Sequence, residues 1–469
     1  MASAGGDRSV VQLLSALPLT VTLAALGACA PERGPPTLHA DGGRLLDDLD
    51  REVVLRGINA RVAGLFDVTF DDGRVALETI PAFGRDDLRL LRDEVGLNAL
   101  RVPINWSGLQ PEPGALDESY LGRLLELLAL CADEELWCVV DLHQDAYSKE
   151  VGEDGAPLWA IVPPPDQLLE GPLQNLDERR MSDQVLRAFD TFFTGQAGVR
   201  DAFLEMLALL TERLRDRPYL AGVEVFNEPV GDDLPILGFA QLATEAVHAV
   251  DPERLVLWEP NSLRNLRDEA ATDGGLHLHN DAYAPHLYPE VFSGGRDLWA
   301  SGDPARLVSS TARARSEADE HDAPLVVTEY GIDPGAPNGL RWIATMDDEL
   351  DRARASRFFW VYEELEQGQW GLYDAGRVLR DELVGVLARP TPDAVAGSLE
   401  SWSWSGGVLR VQLTGAGTHR LRVPPRAAPD PLVVDCDGEA VEISRAGSLV
   451  EVPCGRDQGP HEVTLSTSH

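Results

Sequence analysis

Eight short β-like runs, each followed by a stretch of helical periodicity, constrain the fold of this 469-residue chain more than any other feature. They fall at 53–59, 98–106, 137–145, 221–228, 255–260, 282–288, 325–331 and 358–363. Segments between them, such as 120–131, 200–214, 239–250 and 304–321, repeat apolar residues with the 3.6-residue period of an amphipathic helix. Strands alternating with helices predict an α/β fold with parallel pairing, and eight units predict a closed (β/α)8 TIM barrel over residues 37–390. In such a barrel the chemistry belongs to side chains at the C-terminal strand ends.

Two departures from the repeat mark further structure. The connection after the third run is long and rich in Gly, Pro and acidic residues in its first half, predicting a lid insertion at about 146–200 with a helix from Ser182. Beyond the junction Arg389-Pro390-Thr391-Pro392 the pattern changes to period two, as in Leu409/Val411/Leu413, Leu421/Val423, Val441/Ile443 and Val463/Leu465. Residues 391–469 therefore read as a small antiparallel β-sandwich domain packed on the barrel as a scaffold. Trp402 and Trp404 leave a sugar-binding platform as its alternative role.

Residues 1–30 differ from the rest: Arg8 precedes an apolar stretch at 10–28, a candidate export signal, and 31–36 reads as a linker. Leu26-Gly27-Ala28-Cys29 resembles a bacterial lipobox, which makes Cys29 a candidate lipid anchor and the protein secreted or membrane-anchored, with a cytoplasmic location as the alternative. Of the other cysteines, Cys131 and Cys138 suit buried thiols, while Cys436 and Cys454 lie on neighbouring strands where export would allow a disulfide. No pair has zinc spacing. Acidic residues outnumber basic ones by 78 to 40, for a formal charge of −38, which disfavours nucleic acid and anionic lipid as partners.

Two strings stand out at predicted strand ends: Phe226-Asn227-Glu228-Pro229 on the fourth strand and Thr328-Glu329-Tyr330-Gly331 on the seventh. Both glutamates should face one cleft, the arrangement that glycoside hydrolysis requires: one carboxyl to protonate the leaving group, the other to attack or to activate water. Arg101 and Asn105 end strand two, His143 and Asp145 strand three, His286 and Tyr288 strand six, and Trp360 lies on strand eight. Polar groups of this kind are costly to bury without partners or a task.

In this order, Arg101, His143, Asn227-Glu228, His286-x-Tyr288, Glu329 and Trp360 resemble glycoside hydrolase family 5. The strings 141–145 (Asp-Leu-His-Gln-Asp), Tyr147-Ser148 and 154–160 (Asp-Gly-Ala-Pro-Leu-Trp-Ala) resemble its endoglycoceramidase branch, which also carries a C-terminal β domain. The resemblance implies a retaining double displacement with Glu228 as acid/base and Glu329 as nucleophile. A retaining pair lies about 5 Å apart, so repulsion keeps one carboxyl protonated; Arg101 is the candidate for holding Glu329 ionised, with Tyr288 donating to it. Asn227 is placed for the sugar 2-hydroxyl, His143, Asp145 and His286 for other hydroxyls, and Trp360 for an apolar floor. Trp106, Trp159, Trp258 and Trp370 are candidates to extend that floor, and Leu158, Trp159, Ile161, Val162 and the prolines at 163–165 offer an apolar lip for a lipid aglycone. Arg61 stands near where this branch places a substrate-contacting lysine. Glu224, out of step with the motif, is not assigned to catalysis, and Glu259 is unassigned. The implied substrate is a glycolipid, with a soluble β-glucan or β-mannan as alternative and a non-catalytic glycan-binding barrel as a remote third. No metal or organic cofactor is implied, because two carboxylates suffice.

Overall fold

A computed structural model describes residues 36–174, 176–272, 275–292, 299–365 and 370–467. The candidate export signal and its Cys29 lie outside the described residues. Strands one to eight of a parallel barrel occupy Arg56–Asn59, Ala99–Ile104, Trp137–Leu142, Leu220–Glu224, Val256–Trp258, Asp281–Tyr283 with His286–Leu287, Val326–Tyr330 and Ser356–Phe359. Strand six is broken in two: its first half pairs with strand five and its second with strand seven, which closes the ring. Strands two and three are buried along their whole length, the reason they read as largely apolar runs interrupted by Arg101 and Asp141.

Capping and periodicity explain the helices. The carboxylate of Asp117 accepts the Tyr120 N–H at 2.7 Å and starts helix Glu118–Asp133, whose Tyr120, Leu121, Leu124, Leu127, Leu128 and Cys131 form the buried stripe. Ser182 likewise caps Asp183–Phe193, the helix expected within the insertion. That helix brings Phe192 and Phe193 against Phe226, with ring centroids 5.1 and 5.3 Å apart, and Phe239 closes the cluster at 5.6 Å. Anchored by this aromatic packing, Phe226 fixes where the following Asn227 and Glu228 emerge.

The second domain is a two-sheet sandwich. One sheet runs Leu38–Asp41, Arg44–Asp47, Arg51–Val53, Thr391–Ala396, Gly417–Arg422, Leu449–Cys454 and Ser444–Ala446 in spatial order; the other runs Ser398–Ser405, Val408–Thr414, Pro460–Thr467, Leu432–Cys436 and Glu439–Ala440. Residues 38–53, expected within the barrel, belong instead to the first sandwich sheet, with Val53 paired to Ala394. Leu38 and Leu45 also join Ala99, Val139, Leu257 and Phe358 of the barrel in one apolar cluster. Trp402, 4% exposed, packs in the sandwich core with Leu409, Val411 and Leu465, so it is no sugar platform. Val441 and Ile443 are only partly buried against that core. Cys436 and Cys454 form a disulfide, and Cys131 and Cys138 are buried free thiols. The sandwich meets the barrel where strands begin: Val54 donates to the Asp393 carbonyl, and Asn98 donates to the Asp393 carboxylate at 2.9 Å. The catalytic ends of the strands are thus left to the loops.

Candidate active site

The buried guanidinium of Arg101 organises the cleft. From strand two it donates through Nε to Glu224 at 2.6 Å, through Nη1 to Glu329 at 2.7 Å and Asn59 at 2.8 Å, and through Nη2 to Asn227 at 2.7 Å, with Asp141 at 3.1 Å. Burying so many carboxylates is tolerable only because a planar, permanently charged fork joins them. Glu224 is therefore not idle: it fixes the guanidinium and accepts a bond from Thr328 at 2.8 Å.

Around this hub lie Glu228, Glu329, His286, Tyr288, Asn227, His143, Asp145 and Trp360. Tyr288 donates to Glu329 Oε2 at 2.8 Å. His286 Nδ1 lies 3.0 Å from Glu228 Oε1 and 3.4 Å from Glu329 Oε2, bridging the two carboxylates. An oxygen of Glu228 and one of Glu329 lie within 4.8 Å of each other. Asn265 adds a 3.0 Å bond to Glu228 Oε1. His143 is held between Asp141 at 2.6 Å and Asp145 at 3.3 Å, and the half-buried Trp360 stacks on it with centroids 5.7 Å apart and planes 10° from parallel. Arg180, carried in by the insertion, pairs with Asp145 at 3.0 Å. Asn227 Oδ1 accepts from Arg101, and its Nδ2 donates one hydrogen to the Gln144 carbonyl at 3.1 Å. Asn105 supports the His143 carbonyl from below at 3.0 Å.

Other expectations are redistributed by packing. Trp106 and Trp159 meet edge to face at 5.2 Å, and Trp258 is buried with its N–H on Asp281, so these three are framework and not floor. Trp370 remains at the cleft, stacked with the exposed Phe292 and 6.0 Å from Tyr288. Of the expected lip, Ile161 is buried and Trp159 is tied to the Gln110 carbonyl at 3.2 Å, while Leu158, Pro163 and Pro164 are exposed. Arg61 is buried, paired with Glu78 at 2.7 Å and 3.8 Å from Glu364, which in turn accepts the Trp360 N–H at 3.2 Å.

Sequence reasoning expected the pair to divide with Glu228 protonated and Glu329 ionised. The shifts in the folded site run the other way. Burial pushes the Glu329 carboxyl up, against the pull of His286 and Arg101. Burial acts on Glu228 too, but its hydrogen bond to His286 brings it below the usual value. His286 is raised, because Glu329 and Glu228 outweigh its desolvation. These directions favour a proton on His286, one 3.0 Å hydrogen bond from Glu228. Burial would also raise Asp145, yet Arg180 and His143 bring it down to about 2. Glu224, Glu259, Asp141 and Arg180 were missed as site residues because only the folded barrel shows what their charges face.

A family model described as Cellulase (glycosyl hydrolase family 5) matches residues 72–364. Endoglycoceramidase I of Rhodococcus hoagii is 26% identical over 463 aligned residues, covering 90% of this chain and 85% of its own. Endo-glycoceramidase II from Rhodococcus sp. superposes with a TM-score of 0.76 at 25% identity, over 90% of this chain and 99% of that one. Its lactosyl-enzyme intermediate aligns at 23% identity and TM-score 0.76, covering 91% of this chain and 100% of that one.

Proposed function

The chain belongs to glycosyl hydrolase family 5, and we propose that it is a retaining β-glycosidase that cleaves the sugar–lipid bond of glycolipids. The observation that carries retention is the closeness of Glu228 and Glu329, with oxygens within 4.8 Å. Retaining pairs lie about 5–5.5 Å apart, whereas inverting pairs need roughly 6.5–9.5 Å to hold a water. Glu329, fixed by Arg101 and Tyr288, attacks the anomeric carbon while Glu228 protonates the departing oxygen; the C1–O bond breaks as the bond from Glu329 to C1 forms. Glu228, now a carboxylate, takes a proton from water, which attacks C1 and frees Glu329. Because the Glu228 side chain is 18% exposed in the open cleft, a bound sugar strips its remaining water and favours the neutral carboxyl. That draws the proton across from His286 and restores the acid role. His143, Asp145, Asn227 and Trp360 hold the sugar.

Support for a lipid aglycone comes from the endoglycoceramidase I similarity over nearly the whole chain. Incubation with glucosylceramide, lactosylceramide and soluble cello- and manno-oligosaccharides, read by mass spectrometry, tests the substrate. Turnover confined to the soluble chains would sink the glycolipid reading. Glu329→Gly should lose activity and regain it with external azide, while unchanged turnover in Glu329→Gln would remove the mechanism.

A further inference from the structure

A buried carboxyl outside the expected catalytic set touches both halves of the acid/base apparatus. Glu259 follows strand five and is 5% exposed. Its Oε1 accepts the backbone N–H of Glu228 at 3.2 Å and lies 3.3 Å from His286 Nε2. Both contacts meet a need. Glu228 has φ of +40°, a left-handed conformation that costs a non-glycine residue roughly 1–3 kcal/mol and persists only where the surroundings hold it. His286 Nε2 is buried and makes no hydrogen bond to the described residues, and Glu259 Oε1 lies 3.3 Å from it, within ion-pair distance.

Resting on the retaining-glycosidase reading, we infer that Glu259 is a positioning residue: one of its oxygens holds the strained backbone of Glu228 and the far nitrogen of His286, and so keeps an imidazole proton aimed at Glu228. The groups that face Glu259 are Glu224 on strand four, Glu228, Arg101 at 3.8 Å on strand two, His286 on strand six and Glu329 on strand seven. Burial and the neighbouring Glu224 raise the Glu259 pKa well above the usual range. An oxygen thus faces each ring nitrogen, Glu228 Oε1 at Nδ1 and Glu259 Oε1 at Nε2, a setting that favours the doubly protonated imidazole.

The test uses the full chain with the best substrate from the panel. Glu259→Leu removes the acceptor: kcat should fall by about 100-fold, on the scale of a lost acid/base contribution, with KM changed less than about threefold. Its protonated imidazole loses a partner, so the alkaline limb of kcat/KM should move to lower pH. Glu259→Gln keeps an acceptor oxygen and should hold that limb in place with a loss of less than about tenfold. An unmoved limb in Glu259→Leu, or a Gln variant as impaired as the Leu variant, overturns the inference. Should Glu259→Leu fail to fold, ¹⁵N NMR of the His286 ring in the wild type and Glu259→Gln decides: a protonated, hydrogen-bonded Nε2 in both supports the role, and a bare Nε2 overturns it. If the wild type hydrolyses no glycoside, the functional reading fails, while the NMR result still judges Glu259.

Discussion

Arg101→Lys keeps a positive charge in the cleft but removes the planar fork that now reaches several strands. The guanidinium serves Glu224 through Nε at 2.6 Å and Glu329 through Nη1 at 2.7 Å, while Nη2 reaches Asn227 at 2.7 Å. A lysine ammonium donates from a single point, so keeping one of these partners means leaving the other two, and Glu329 no longer has a dedicated guanidinium N–H. Losing two such charge-assisted bonds at about 1.5 kcal/mol each costs about 3 kcal/mol, a large part of a typical unfolding free energy of roughly 5–15 kcal/mol. Denaturant titration should show that loss. The reaction should respond as well: Glu329 with weaker cationic support binds its proton more tightly, so the acid limb of kcat/KM should move to higher pH and kcat should fall. A lysine variant that unfolds at the wild-type denaturant concentration and keeps the wild-type acid limb would refute the view that the fork holds the cleft together.

Gly57→Ala should destabilise the barrel by about 3 kcal/mol, measured by the same titration, because an added Cβ would lie 2.3 Å from the Phe358 ring and 2.8 Å from the Ala99 carbonyl oxygen. His321 accepts the Leu276 N–H at 2.7 Å, and burial lowers its pKa to about 4, so it folds neutral. Its contribution is fully present above the unfolded value of about 6.5 and is lost as the pH falls from there toward 4, by at most about 3 kcal/mol; His321→Gln, which cannot titrate, should flatten stability over that window. Cys454→Ser opens the disulfide to Cys436, 18 residues away, and should lower the stability of the sandwich by about 3 kcal/mol. Turnover of a small soluble glycoside should survive it, because the sandwich meets the barrel away from the cleft.

What was legible in the sequence is what short-range pattern encodes. Strands buried on both faces appear as brief apolar runs and amphipathic helices show their period, so all eight barrel strands and the helix after Ser182 could be read directly. Polar residues at the ends of those runs then had to share a rim, which is why Arg101, His143, Glu228, His286, Tyr288 and Glu329 were nameable in advance. Tertiary structure alone decided the rest. Residues 38–53 read as the lead-in to the barrel, yet their pairing partner is strand Thr391–Ala396 at the far end of the chain, and no local period announces that. The tryptophans were equivalent as letters, but packing sent Trp106, Trp258 and Trp402 into cores and left Trp360 and Trp370 at the cleft. Glu224 and Glu259 acquired roles, and His286 its raised pKa, only when distant charges were folded together in a buried space. Periodicity is a property of neighbours along the chain, whereas burial and electrostatics are sums over neighbours in space.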